Sequence, residues 1–154
     1  MGMFKWFIKN CWLSLVAYFQ MSALGALCVL LYMSTVYNPG SNVARDPPLW
    51  LEIVLWTHSL VSAAFYFWFG TRVNLTSNYL LNFLSVSGSL AYRLLLVVLV
   101  IYFNHYLIMF GMFSFFMLTM TLADVLSNDV VTIIIVSIIP TSMIWLGMLY
   151  KARN

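Results

Sequence analysis

Long apolar stretches alternate with short polar breaks along the whole chain. The first apolar stretch, residues 12–33, contains no charged residue and is longer than the core of a secretion signal. A helix needs about 20 mostly apolar residues to cross the hydrocarbon core of a bilayer. Five segments approach that length: residues 11–37, 48–70, 79–103, 106–123 and 130–150. The sequence therefore predicts an all-α, polytopic integral membrane helix bundle with four or five transmembrane segments, and the lipid bilayer is its expected environment.

The composition argues against a soluble or a disordered chain. Only 7% of the 154 residues are charged, 64% are hydrophobic, and the mean hydropathy is +0.96. An ordinary soluble domain carries about 25% charged residues, and disorder requires low hydrophobicity. The net charge of +3 comes from scattered Lys and Arg residues beside apolar segments, which is typical of a membrane protein and not of a nucleic-acid binder. We expect one membrane domain, residues 1–154.

The positions of the cations leave four or five crossings open. With five crossings, Arg93 lies in the hydrocarbon and the other six cations divide equally between the two sides. With four crossings, residues 79–92 lie at the inner surface, residues 94–122 form one long span, and both termini are cytoplasmic. The positive-inside rule favours four crossings. However, the long span would measure about 43 Å against a hydrocarbon core of about 30 Å. We expect a bacterial cytoplasmic membrane protein with a cytoplasmic N-terminus.

The second segment is the most polar of the five. At 100° per residue, its polar side chains share an arc of about 120°. These residues are Glu52, His58, Ser59, Ser62 and Tyr66. The arc is expected to face the bundle interior, because polar groups that face lipid are penalised. It either lines a path for a solute or proton through Glu52 and His58, or it is a packing face, which is the commoner use of Ser and Tyr in membrane helices.

Arg93 is the one charge near the middle of an apolar segment. A charge at the centre of a bilayer costs from about 2.5 to more than 10 kcal/mol, so the side chain needs a partner or a shallow position. With five crossings, Glu52 is the candidate partner. With four crossings, Arg93 is an anchor whose side chain extends to the membrane surface.

Small residues predict where the helices pack. In the first segment a seam of period about 3.5 contains Ser14, Tyr18, Met21, Gly25 and Cys28. In the third segment a second seam contains Ser85, Gly88, Ser89 and Tyr92. Such seams serve packing within the bundle or the docking of a partner subunit.

Local signals predict helix ends and one helix kink. Asp46 is a candidate N-cap for the second segment, Ser77 or Asn78 for the third, and Ser127 or Asn128 for the last. Pro140 lacks the N–H that would bond to the Val136 carbonyl, and its ring crowds that carbonyl. We therefore expect a bend in the last segment close to residues 136–140.

No motif for catalysis, metal binding or a cofactor is recognisable. The two histidines, His58 and His105, have no further ligands at zinc spacing, so no metal and no cofactor are expected. The expected function is that of a small, non-catalytic subunit or accessory factor, which contacts a membrane-protein partner or a second copy through its helices. The alternative is a small transporter or channel that uses Glu52, His58 and Arg93. A membrane enzyme acting on lipids is a third hypothesis.

Overall fold

The computed structural model describes residues 2–36, 48–103, 118, 121–122, 125–126 and 129–154. Within these ranges, the regular elements are all helices: α1 (Met3–Val36), α2 (Leu49–Arg72), α3 (Tyr79–Ser85), α4 (Gly88–Phe103) and α5 (Asp129–Arg153). The prediction of an all-helical fold is confirmed. Three described stretches are long and apolar enough to cross a membrane, namely Met3–Val36, Leu49–Arg72 and Ile134–Arg153.

Four of the helices form a closed ring. Helix α1 packs on α2, α2 on α5, α5 on α4, and α4 on α1, and the contact between α2 and α5 is the most extensive. Side chains from three helices fill the centre of the ring: Tyr18 and Met21 from α1, Tyr66 from α2, and Val136, Ile144 and Met148 from α5. A smaller cluster between α1 and α2 contains Val29, Val36, Leu51 and Leu55.

The start of α1 and the end of α5 lie at the same end of the ring. Trp6 Nε1 donates a hydrogen bond to the Asn74 carbonyl at 3.0 Å, and Lys151 Nζ donates to the neighbouring Val73 carbonyl at 3.0 Å. Both helices therefore meet the loop that follows α2. We call this the basic end, because five exposed cations lie there: Lys5, Lys9, Arg72, Lys151 and Arg153.

Two glycines bring the backbones of α2 and α5 into contact. A Cβ atom added at Gly70 would collide with the Ile144 carbonyl and lie 3.1 Å from the Gly147 Cα. A Cβ atom added at Gly147 would collide with the Phe67 carbonyl and lie 3.0 Å from the Gly70 Cα. Small residues allow such close approach between membrane helices, and here neither position has room for a side chain.

Two helix boundaries differ from the sequence prediction. Helix α1 begins at Met3, eight residues before the predicted start, because Lys5 and Lys9 continue the helix beyond the apolar stretch. The predicted segment 79–103 is two helices, α3 and α4, joined by a turn in which the Ser87 hydroxyl donates to the Leu84 carbonyl at 2.7 Å. Hydropathy detects apolar content, and it does not detect a turn made of small residues.

One predicted helix cap is confirmed and one is wrong. Asn78 is the N-cap of α3, and its side-chain oxygen accepts from the N–H groups of Leu80 and Leu81 at 3.0 and 3.1 Å. The N-cap of α2 is Pro48 and not the predicted Asp46, because the helix begins two residues later than a cap at residue 46 requires; Pro48 has no side-chain acceptor and makes no capping hydrogen bond. Asp46, Ser127 and Asn128 lie outside the described residues. Most of the predicted segment 106–123 also lies outside the described residues. Leu118 and Leu122, which are described, pack against the central cluster.

The glycine contact predicts that Gly70→Ala and Gly147→Ala each destabilise the protein. Overpacking typically costs 1–3 kcal/mol, and the colliding atoms here belong to backbone, which no side-chain rotation can move away. We expect a loss of at least about 1 kcal/mol in the free energy of unfolding, measured by denaturation in mixed micelles. Gly2→Ala is the matched control, because nothing lies within 4 Å of its added Cβ. An equally small effect of all three substitutions would contradict the contact.

Candidate functional site

Arg93 is buried in the centre of the ring. Its side chain extends from α4 and is only 2% exposed. One guanidinium amino group, Nη1, donates a hydrogen bond to the Val136 carbonyl of α5 at 2.9 Å. The guanidinium carbon lies 4.5 Å from the centroid of the Tyr18 ring of α1, which is a cation–π distance. A single side chain therefore joins three helices.

The Val136 carbonyl is available to Arg93 because of Pro140. In a regular helix this carbonyl would accept from the N–H of residue 140, and proline has no such N–H. Helix α5 nevertheless continues through Pro140 to Arg153. The guanidinium supplies the missing donor, and hydrogen bonds to charged groups contribute about 1.5–3 kcal/mol. The bend expected at Pro140 stays a prediction.

Arg93 keeps hydrogen-bonding capacity that is not used. Its Nε and its second amino group, Nη2, are buried without a partner among the described residues. The hydroxyl groups of Thr132 and Ser137, on α5, are also buried without a partner in the part of the chain that the structure describes. Nearby, the hydroxyls of Ser89 and Thr141 pair at 3.2 Å and form a second polar link between α4 and α5. Helices α4 and α5 are therefore linked by two polar contacts, Arg93 with the Val136 carbonyl and Ser89 with Thr141.

The polar arc of α2 faces inward to different degrees. Ser59, Ser62 and Tyr66 are buried, whereas Glu52 and His58 are half-buried. Residues of the opposite face, Trp50, Val61 and Trp68, are exposed. This is the orientation expected from the helical periodicity.

Hydrogen bonding within the arc is incomplete. The Ser59 hydroxyl donates to the Leu55 carbonyl of its own helix at 3.1 Å. The Ser62 hydroxyl and the His58 Nε2 are buried without a partner in the described part of the chain. The His58 ring also interacts with the Met21 backbone of α1. One turn separates His58 from Ser62, so α2 presents two unpartnered polar groups on one face.

Arg93 and Glu52 are not brought together. Glu52 follows Leu51, which packs with Val29 and Val36 of α1, whereas Arg93 lies beside Tyr18. Val29 is eleven residues beyond Tyr18 on α1, which corresponds to about 16 Å along the helix. The hypothesis of a Glu52–Arg93 ion pair is therefore wrong. The alternative of a surface anchor requires a guanidinium that extends to the membrane surface, whereas here the guanidinium is buried within the protein and bound to α5.

The predicted packing residues lie mostly inside the ring. Ser14, Gly25, Ser85 and Ser89 are buried. Gly88 begins α4 against α1, and a Cβ atom added there would lie 2.6 Å from the Cys11 carbonyl oxygen. Ser85 ends α3, so the predicted seam of the third segment is divided between two helices. His105 lies outside the described residues.

Sequence reasoning missed a network of amide side chains at the basic end. The buried Asn10 of α1 donates from Nδ2 to the Asn74 carbonyl at 3.1 Å and to the Ser85 hydroxyl at 3.2 Å. The Asn82 side chain accepts from the Thr76 N–H at 2.9 Å and donates to the Thr76 carbonyl at 2.9 Å. The signal was the presence of asparagine inside or beside apolar segments, because a buried amide needs partners.

Titratable residues are dispersed over the described structure. No group of three or more His, Cys, Asp or Glu residues that could hold a metal ion occurs within the described ranges. Cys11 and Cys28 are free and half-buried.

Comparison with known proteins found no family model, no curated protein and no solved structure that matches the chain.

The pairing of Arg93 with the carbonyl freed by Pro140 predicts an energetic coupling between the two residues. Arg93→Met removes the donor and leaves the Val136 carbonyl unsatisfied, which costs about 1–3 kcal/mol. Pro140→Ala restores an N–H that can satisfy this carbonyl. We therefore expect Pro140→Ala to be more stabilising by about 1–2 kcal/mol in the Arg93→Met background than in the wild type, measured as a double-mutant cycle of unfolding free energies.

Arg72→Met provides the matched control for this cycle. Arg72 is exposed at the basic end of the ring. Its guanidinium carbon lies 5.5 Å from the centroid of the Trp68 ring on its own helix, and it makes no contact with the Val136 carbonyl. Pro140→Ala should have the same effect with and without Arg72→Met. Additivity of Arg93→Met and Pro140→Ala would show that the two residues do not share the carbonyl.

Proposed function

We propose that the protein is a non-catalytic subunit or accessory factor of a membrane, which acts through helix contacts. The observation that carries the proposal is the position of Arg93. Its guanidinium binds a carbonyl of α5 and the ring of Tyr18, so its charge is used to hold helices together. The outer helix faces are then the surfaces on which the protein meets other molecules.

Exposed apolar side chains on the outside of the ring support this proposal. Large residues are more than half exposed on α1, α2 and α4, including Leu27 at 63%, Leu60 at 70% and Leu95 at 55%. Acyl chains or a neighbouring membrane helix would cover such residues, whereas extensive apolar exposure to water is unfavourable. These faces are available to a partner without any change in the buried core.

The second candidate function is that of a small transporter or channel. It is favoured by the His58 Nε2 and the Ser62 hydroxyl, which lie one turn apart on α2 and have no hydrogen-bond partner among the described residues. Buried polar groups of this kind need water or a permeating solute to satisfy them. In this candidate function Glu52 lies at the start of the same helix, and Arg93 has a separate, structural role.

For the topology, we propose four crossings with a cytoplasmic basic end. The crossings are α1, α2, a segment that begins with α4, and α5. An even number of crossings is supported by the contacts of Trp6 and Lys151 with adjacent residues at one end of the ring. The five exposed cations at that end support its cytoplasmic location.

Reporter fusions test this topology. A reporter that is active only outside the cytoplasm should be silent when it is fused after Asn154 and active when it is inserted after Gly40, between α1 and α2. A reporter active only in the cytoplasm should give the opposite pattern. External activity of the C-terminal fusion would contradict the even number of crossings and favour five.

Isolation from the native membrane tests the two functions against each other. We expect the tagged protein to retain another membrane protein in constant ratio, and this ratio should survive His58→Gln and Ser62→Ala. We also expect at least one substitution on an outer face to remove the companion protein without lowering the yield of folded protein. The substitutions to compare are Leu27→Trp on α1, Leu60→Trp on α2 and Leu95→Trp on α4. If no companion is retained, and if purified protein in vesicles carries a proton or ion flux that His58→Gln abolishes, the transporter hypothesis replaces the proposal.

A further inference from the structure

Gln20 is an exposed amide in the middle of the longest helix. It lies seventeen residues after the start of α1 and sixteen before its end, and close to Tyr18 and the level of Arg93. Its side chain is exposed and makes no hydrogen bond among the described residues. In a helix that crosses a membrane, this position faces hydrocarbon, where an unsatisfied amide costs several kcal/mol.

Gln20 belongs to a regular series of residues on the outside of α1. The series has spacings of four and three residues in alternation, and consists of Val16, Gln20, Ala23, Leu27, Leu30 and Ser34. Val16 is half-buried and the other members are exposed. At 100° per residue the series occupies an arc of about 80°. We call this series the outer seam; it has the 3.5-residue period with which helices pack on one another.

The outer seam lies opposite the face that α1 uses within the ring. Buried residues of α1, among them Tyr18, Met21 and Gly25, pack inward, and no residue of the outer seam belongs to the apolar clusters. Packing within the described chain therefore leaves the seam without a partner. A periodic seam with one polar residue at its centre is the pattern by which a buried amide fixes the register of two helices.

A second copy of the chain matches the outer seam best. A glutamine amide contains both a donor and an acceptor, so two copies related by a two-fold axis along the membrane normal can exchange a reciprocal pair of hydrogen bonds. The two Gln20 side chains necessarily lie at the same depth. Ala23, one turn away, leaves room for the helices to approach. Lys9 lies on the same arc at the basic end. In a dimer, water and headgroups there would screen the repulsion between the Lys9 side chains of the two copies.

We propose that the outer seam of α1 is a parallel homodimer contact, in which Gln20 of each copy hydrogen bonds to Gln20 of the other. This contact is isologous, so it closes as a dimer and does not extend into a filament. It is independent of the accessory-subunit proposal, since it requires only this chain and a bilayer.

Energy transfer between labelled copies in vesicles tests the dimer. Purified protein carrying donor or acceptor dyes is reconstituted over a range of protein-to-lipid ratios, which yields a dissociation constant. Gln20→Leu removes the amide and should weaken association about tenfold, because interhelical hydrogen bonds in membranes are individually modest in strength and a tenfold change corresponds to about 1.4 kcal/mol. Gln20→Asn keeps donor and acceptor and should retain most of the association.

Two controls separate a specific contact from general effects. Thr57→Val removes an exposed polar group from α2 and should leave association unchanged. In a background with Cys11→Ser and Cys28→Ser, Leu27→Cys on the seam should form an intermolecular disulfide on oxidation, whereas Leu60→Cys on α2 should not. The unfolding midpoint of Gln20→Leu should be no lower than that of the wild type at protein-to-lipid ratios where both are monomeric, because Gln20 has no hydrogen-bond partner among the described residues of its own chain.

Several outcomes would overturn the homodimer. The wild type could be monomeric at every ratio, Gln20→Leu could associate as strongly as the wild type, or the disulfides could form equally at both positions. If the purified chain is monomeric but Gln20→Leu removes a companion protein in native membranes, the seam binds a different chain. The homodimer is then wrong while the accessory-subunit proposal is strengthened.

Discussion

The hydrogen bond from the Arg93 guanidinium to the Val136 carbonyl joins two groups that would each be unfavourable alone. Pro140 leaves the carbonyl without its donor inside α5, and Arg93 places a cation inside an apolar ring. The Tyr18 ring lies over the same guanidinium, so α1, α4 and α5 are fixed relative to one another. Because one partner is a backbone atom, the bond specifies the axial position of α5 as well as its rotation.

The rest of the ring is held by contacts that need small residues or amides. Gly70 and Gly147 let α2 and α5 meet backbone to backbone, and no larger residue fits at either position. At the basic end, Asn10 links α1 to the loop after α2, and Lys151 links α5 to the same loop. Apolar side chains fill the space between these contacts, but they distinguish poorly between inside and outside when the solvent is lipid.

Apolar stretches and turn residues were sufficient to predict the helical fold and the Asn78 cap, because both depend on local sequence. The partner of Arg93 was not predicted, because a backbone carbonyl is not visible as a residue type. Its signal was nevertheless present: Pro140 frees the Val136 carbonyl, and Arg93 is the only cation inside an apolar segment. Glycines in helices signal close contacts, but Gly70 and Gly147 are paired only through the tertiary fold.

The pairing of α2 with α5 also affects the order in which the helices can assemble during synthesis. Gly147 of α5 lies 77 residues after Gly70 of α2 in the sequence. At about 5–20 residues per second, the ribosome needs roughly 4–15 s to synthesise that interval. During this period Gly70 is already exposed in the membrane while its counterpart does not yet exist. The newly inserted hairpin of α1 and α2 is therefore a transient intermediate whose glycine surface is open to chaperones, to proteases and to incorrect helices.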